Sequence, residues 1–345
     1  MKAICPVSKN NFDKIIAGHG SGGLLSHQLL NNYILSELSN DLLDQQHDGA
    51  TFTLTGKTAF STDSYVVSPI FFPGGNIGDL AINGTVNDLA MCGANAKYLS
   101  LSFILEEDFL LSELIQVVAS IKTAAAKADV QIVTGDTKVV EKGKGDKIFI
   151  NTSGIGSVHP NASIGYKNIQ PGDKIIVSGN IAVHGITILS VREGLSFETD
   201  LKSDTTNLNH TVYALLDEFG MNIHFLRDPT RGGVASTLNE VAEQSRLGFQ
   251  LHQALLPLEE QIEGACEMLG LDPLYVANEG VFVAIVNKDY ATAFTDKLRS
   301  FENGSNAAII GEVTETHAGK VLLKNAVGGT RVVNYLPGEQ LPRIC

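Results

Sequence analysis

Apolar positions along the chain fall into strand-like and helix-like runs that alternate twice over. Residues 1–17 carry little pattern, and residues 40–57 are polar and turn-rich, a loop. GHGSGG at 18–23 precedes an amphipathic stretch that predicts a helix from near Leu24. Strands are predicted at 59–67 and 98–105, and helices at 76–91 and 112–128, with Ser112 as an N-cap. Runs at 131–140 and 147–156 flank a GKG turn at 143–145 and predict a β-hairpin, with Asp136 and Lys138 on its first arm. Residues 157–171 are polar. The pattern then resumes, with a strand at 174–178, helices near 183–193, 205–219, 232–246 and 258–269, and strands at 281–286, 307–313, 319–325 and 330–335. Two α/β units with mixed sheets follow, divided near 158–172.

Composition sharpens this picture. At 345 residues the prior is two domains. Lys plus Arg is 25 and Asp plus Glu is 38, a formal charge of −13, which argues against a nucleic-acid binder. It leaves room for a local phosphate site built from backbone N–H groups and a metal. The first residues show no apolar signal region, and the longest uninterrupted apolar stretches are short, such as 281–286. Of the four cysteines, Cys5, Cys92, Cys266 and Cys345, no two form a CxxC. A reducing, cytoplasmic protein is expected. Cys92 and Cys266 sit in helical patterns and read as small buried hydrophobes. Cys5 is assigned no role.

Several segments could carry chemistry. GHGSGG is neither a Walker A sequence nor GxGxxG. Its glycines before a helix would expose N–H groups to a phosphate, or would simply form a tight loop. Asp63, Asp88, Asp136 and Asp228 have small or hydroxyl neighbours, and Asp63 and Asp136 follow apolar strands. Converging carboxylates would hold Mg²⁺; taken singly, each reads equally as a cap or turn residue. DPTRGG at 228–233 sets Arg231 and two glycines before a helix, a second phosphate candidate or a capped turn. Lys138 shares a strand face with Asp136 and could hold phosphate or substrate, or form a surface ion pair. Glu279, in ANEG at 277–280, is a base or a turn residue. The tail GEQLPRIC spans 338–345 and ends in a sterically unhindered thiol, Cys345. Fully extended, it reaches roughly 23 Å at ~3.3 Å per residue.

In combination these segments resemble the HypE family of hydrogenase maturation proteins, the carbamoyl dehydratases. That family lies within the ATP-binding superfamily of aminoimidazole ribonucleotide synthase, selenophosphate synthetase and thiamine-monophosphate kinase. The likeness runs through HGSGG at 19–23, residues 60–90, SFILEE at 102–107, IVTGDTKVV at 132–140, INTSGIG at 150–156, RDPTRGGV at 227–234, ANEG and the terminal PRIC at 342–345. PRIC separates this family from its relatives. A selenophosphate synthetase would carry a reactive cysteine in its glycine loop, where this chain has Ser21. Two other readings compete, a non-catalytic carrier of the carbamoyl group and a redox protein using Cys345.

The resemblance implies an α/β fold of α+β type. It has an ATP-binding, dimer-forming domain over 1–160, whose sheet pairs across a homodimer, an α/β domain over 161–337 and a flexible tail over 338–345. It implies that Cys345 accepts a carbamoyl group from the carbamoyltransferase HypF, and that ATP with Mg²⁺ drives its dehydration to a thiocyanate. The cyanide then passes to iron on a HypC–HypD complex. Asp63, Asp88, Asp136 and Asp228 would be Mg²⁺–ATP ligands. His19, Gly20, Ser21, Gly22, Gly23 and Arg231 would bind the phosphates. Lys138 and Glu279 would orient or deprotonate the thiocarbamate.

Overall fold

The computed structural model describes residues 12–195, 201–336, 338 and 344. Cys5 and Cys345 lie outside the described residues. The chain order is α1 (Leu24–Leu29), α2 (Ser36–Leu38), β1 (Thr58–Tyr65), β2 (Phe71–Phe72), β3 (Gly75–Asn76), α3 (Ile77–Met91), β4 (Ala94–Glu106), α4 (Leu111–Ala128), β5 (Gln131–Val140) and β6 (Ile148–Val158). It continues with β7 (Lys174–Val177), α5 (Val183–Glu193), α6 (Asn209–Phe219), β8 (Ile223–Arg227), α7 (Gly233–Ser245), β9 (Gly248–His252), α8 (Glu260–Leu269), β10 (Val283–Val286), α9 (Ala291–Arg299), β11 (Ala308–Thr314), β12 (Val321–Lys324) and β13 (Thr330–Val333). No described helix is long and apolar enough to cross a membrane.

Among the described residues, β1, β6, β4 and β5 form one sheet in that order, and β13, β12, β9, β11, β7, β10 and β8 form a second. Both are mixed, as the sequence predicts: β4 and β5 run parallel in the first, β12 and β9 in the second, and the other neighbours run antiparallel.

The predicted hairpin is not formed. β5 and β6 lie on opposite sides of β4. The seven residues between them cross the end of β4, where the Glu106 carboxylate accepts the N–H groups of Gly143 and Lys147. Those N–H donors hold the Glu106 carboxyl below the usual carboxylate range. Local turn chemistry suggested direct pairing; thirteen-residue β4 supplies a longer apolar neighbour to both strands and takes the place between them.

α3 is the hub of the first half. Asn76 caps it by accepting the Gly78 N–H at 2.7 Å, and Asp79 reaches back to the Asn76 N–H at 2.9 Å, a capping box. It is buried nearly all round, which requires small residues where neighbours press closest. A Cβ on Gly78 would stand 2.6 Å from the Val117 carbonyl of α4, and one on Gly84 would stand 2.5 Å from the Tyr65 hydroxyl. Ala90 and Met91, at its C-terminal end, join an apolar cluster of the second half.

The second sheet is apolar on both faces. Ile175 and Val177 of β7, with Val283 and Ile285 of β10, pack into one cluster with Val234 and Leu238 of α7. Ile176, Ala284 and Val286 point the other way, toward Leu215 of α6 and Phe294 of α9.

The strands β8 and β9 and the helix α9 escaped the sequence pattern. Ser112 lies inside α4, whose first residue is preceded by Leu110 with no side-chain cap. Cys266 is buried as expected, but Cys92, one residue past α3, is exposed because the helix ends there.

Candidate active site

Three of the four aspartates come together. Asp63 on β1, Asp88 near the end of α3 and Asp228 after β8 line a cavity of about 30 Å³, with Tyr65, Gly84, Thr230, Arg231 and Glu279. Asp63 faces inward because its register partner on β6 is the fully buried Thr152. Asp88 accepts the Ser61 hydroxyl at 2.6 Å. Burial raises the Asp88 pKa and the Asp63 charge raises it further, against the Ser61 hydrogen bond. Burial, then the Asp88 charge, pushes Asp228 up to about 7.

Glu279 is buried at 4% exposure. Its backbone is held from three sides. The Asp204 carboxylate accepts the Glu279 N–H at 3.2 Å and the Gly280 N–H at 3.0 Å, and Asn87 Nδ2 donates to the Glu279 carbonyl at 3.3 Å. The residue before it, Asn278, donates through Nδ2 to the Pro229 carbonyl at 2.9 Å, tying ANEG to DPTRGG. Gly233 sits at φ +60°, and a Cβ there would meet the Leu274 and Val276 carbonyls at 2.5 and 2.6 Å. That close approach brings Asp228 and Arg231 beside Glu279. Arg231 itself is exposed.

The glycine loop, Asp136 and Lys138 lie elsewhere. His19, Gly20 and Gly22 line a cavity of about 380 Å³ together with Asp136 and Lys138 of β5. Gly20 makes this possible: a Cβ there would stand 2.8 Å from the Val139 backbone nitrogen. Gly22 adopts φ +76° and donates its N–H to the Ser26 hydroxyl at 2.9 Å. Ser21 and Gly23 are exposed. His19 is buried, which lowers its pKa, and its Nδ1 accepts the Ile16 N–H at 3.2 Å. The predicted helix after the loop remains α-helical for only six residues before a π-helical stretch at Leu30–Leu35.

Asp136 and Lys138 form an exposed ion pair at 2.7 Å, and the lysine holds the Asp136 carboxyl low. Asp136 pairs across the sheet with Ser102, which pairs with Asn151, which pairs with Ser64. That row faces opposite to Asp63, so within one chain Asp136 does not join the other three aspartates.

Among the described residues, no three His, Cys, Asp or Glu stand close enough to hold a metal ion by themselves. The Asp63, Asp88 and Asp228 set fits Mg²⁺ in kind, because it offers oxygen donors alone and two of its carboxyls are raised, by burial first and by neighbouring carboxylate charge second, a cost that a divalent cation would offset.

The tail reaches the folded body. Ile344 is 3% exposed, clusters with Ala277 and Ile188, and its carbonyl accepts from His184 Nε2 at 2.9 Å. The sequence reading missed Asp204, Asn87, Asn278 and His184. Asn278 stood inside a recognised motif and Asn87 beside a recognised aspartate. Asp204 and His184 lie in no pattern, since their roles are made by contacts across the fold.

Comparison with known proteins agrees in family and fold. Residues 46–158 match the AIR synthase related protein N-terminal domain, and residues 170–324 the corresponding C-terminal domain. The carbamoyl dehydratase HypE of Azotobacter vinelandii is 50% identical over 328 residues, 95% of this chain and 96% of that one. A crystal structure of the hydrogenase maturation protein HypE in complex with ATP superposes with a TM-score of 0.93 at 48% identity, covering 96% of this chain and 99% of the other. A HypE–HypF complex contains a chain that superposes with a TM-score of 0.79 at 42% identity, covering 91% of this chain and all of that one.

Proposed function

Because the chain belongs to the HypE family of carbamoyl dehydratases, within the AIR synthase related proteins, we propose that it dehydrates a carbamoyl group carried on the Cys345 thiol, using ATP. The product is the cyanide ligand of a [NiFe]-hydrogenase iron centre. The cavity in which Asp63, Asp88, Asp228 and Glu279 meet carries this reading, since phosphoryl transfer needs grouped carboxylates and proton removal needs a positioned base.

In the reaction the carbonyl oxygen of the thiocarbamate, –S–C(=O)–NH₂, attacks the γ-phosphorus of ATP and ADP leaves. The nitrogen loses one proton as the O-phosphorylated imidate forms. It loses the second as the C–O bond breaks, which leaves –S–C≡N and phosphate. Glu279 is the group we assign to proton removal, held by Asp204 and Asn87 through its backbone. Mg²⁺, when bound, neutralises phosphate charge, and Asp63, Asp88 and Asp228 would hold it. Arg231, at the mouth of the same cavity, faces the phosphates. The loop at His19–Gly23 covers nucleotide, and Lys138 with Asp136 orients either phosphate or the thiocarbamate.

The separation of these groups within one chain supports a homodimer. The open face of the first sheet carries the Asp136 row and the exposed Phe60 and Ile104. A second copy packed on that face would cover Phe60 and Ile104 and surround Asp136 and Lys138 with residues of the partner subunit. We take 1–160 as the nucleotide-binding, pairing domain, 161–337 as the second domain and 338–345 as the tail. The HypE–HypF complex supports HypF as a partner, and HypF is the proposed carbamoyl donor. A HypC–HypD complex is the proposed acceptor, and the reducing cytoplasm, which keeps a terminal thiol free, is the proposed compartment.

The test is intact mass after incubation with HypF, carbamoyl phosphate and Mg–ATP, for the wild type and Cys345→Ala. A carbamoyl adduct that then loses one water in an ATP-dependent step, with neither event in the variant, supports the dehydratase. An adduct that never loses water makes the protein a carrier instead.

A further inference from the structure

The one described residue of the terminal PRIC is held by a chain of hydrogen bonds whose protons are all assignable. The Ile344 carbonyl can only accept, so His184 Nε2 carries the hydrogen of that 2.9 Å contact. The Ser203 hydroxyl lies 2.7 Å from His184 Nδ1 and accepts the Thr205 N–H at 3.1 Å, so its own proton points to Nδ1. Ser203 therefore selects the tautomer that presents a donor to the tail. Full burial pushes the His184 pKa down to about 4, which keeps the ring neutral and its Nδ1 lone pair able to accept from Ser203 at neutral pH. The ring is also steadied edge-on by Phe72, with centroids 5.6 Å apart.

This chain of contacts is built into the wall that carries Glu279. The start of the helix bearing His184 is tied to the two residues before Glu279, by Gly185 N–H to the Ala277 carbonyl at 3.0 Å and by Ala182 N–H to Asn278 Oδ1 at 2.7 Å. The residue after Ser203 is Asp204, whose carboxylate holds the Glu279 and Gly280 N–H groups. One dipeptide, Ser203–Asp204, thus orients the group that holds the tail and itself holds the backbone of the assigned base. Cys345 is the next residue in the sequence after Ile344.

We propose that His184, oriented by Ser203, is a positioning residue that docks the Ile344 carbonyl and so sets where the terminal thiol is presented to the Asp63–Glu279 cavity. The inference rests on the carbamoyl dehydratase reading above. Docking of this kind converts a search by a loose tail into an intramolecular encounter.

The experiment follows the full-length chain by intact mass in single turnover. The protein is first carbamoylated by HypF, then given saturating Mg–ATP, and loss of water is timed. His184→Phe keeps the ring and its contact with Phe72 but removes both nitrogens. It should slow the dehydration step about tenfold, leaving the ATP concentration for half-maximal rate and the yield of carbamoylation unchanged. His184→Gln, whose amide can donate to the same carbonyl, should recover most of the rate. Ser203→Ala, which leaves the donor in place but unguided, should slow the step about threefold and serves if the Phe variant fails to fold. The proposal is overturned if His184→Phe or Ser203→Ala dehydrates at the wild-type rate. It is equally overturned if Gln is as slow as Phe while both melt with the wild type, since the ring would then be packing alone. A wild type that carbamoylates but never loses water overturns the dehydratase reading itself, whatever the variants do.

Discussion

Replacing Asp228 with Asn should stabilise the nucleotide-free protein and abolish its activity. Burial and the Asp88 charge push the Asp228 carboxyl from 3.8 up to about 7. A folded pKa raised above the unfolded one means that the native state favours the protonated acid. The associated stability is complete below about pH 4 and is lost as pH rises to about 7. Three units correspond to ~4 kcal/mol of ionisation penalty at pH 8. An amide in the same place still has to be desolvated, so the expected gain for Asp228→Asn is ~1–2 kcal/mol at pH 8, or about 2–4 °C in Tm per kcal/mol. The variant should also lose the wild-type decline in stability between pH 4 and 7, which for one fully shifted group approaches ~1.4 kcal/mol per unit. Thermal denaturation at pH 5, 6, 7 and 8, without nucleotide and with Mg–ATP, reads all of this. Mg–ATP should raise the wild-type Tm strongly and the variant's little. A variant less stable than wild type at pH 8, with an unchanged pH slope, would refute the claim that crowded carboxylates are held together there for the sake of a cation.

Three further outcomes are expected. Glu279→Gln should accept carbamoyl normally yet lose ~10²–10⁴-fold in the dehydration rate, measured by intact mass. Gly20→Ala, whose Cβ would stand 2.8 Å from the Val139 nitrogen, should push the glycine loop off β5 and raise the ATP requirement about tenfold in an ATP titration, with Tm little changed. Gly78→Ala forces α3 from the Val117 carbonyl of α4 and should cost ~1–3 kcal/mol in urea denaturation, with activity per folded molecule retained.

Most of the elements were legible because their periods are long enough to count. Helices at 77–91 and 111–128 and the strand at 131–140 fall within a residue or two of the pattern. What the pattern could not supply was partnership. The segments at 131–140 and 148–158 have every local feature of a hairpin, yet β4 separates them, because strand order is decided by which apolar surfaces fit across the sheet. The same limit governs the site. Asp63, Asp88, Asp228, Arg231 and Glu279 were legible as residues, and they line one cavity. Asp136 shared their local context and still faces the other side of the sheet, since facing is set by register. Asp204, which holds Glu279, stands in LKSDTTN with nothing to distinguish it from a turn aspartate. Its role exists only once Gly280 is pressed against it, where a Cβ would lie 1.8 Å from the Asp204 carbonyl.

The placement of β6 also governs when the first half of the chain can be assembled during synthesis. β6 is the strand that joins β1 to the rest of its sheet, pairing Thr58 with Ser157 and Tyr65 with Ile150. Until residue 158 has left the ribosome, β1 and its aspartate are an unpaired ribbon roughly ninety residues from their partner, a closure that pays its loop entropy late. β4, α4 and β5 can by contrast collapse first, being sequential, with β5 in contact with both β4 and α4. A nascent chain halted between 140 and 158 would therefore hold a β4–α4–β5 core beside an unpaired strand with open backbone edges, the species a chaperone would be called on to shield.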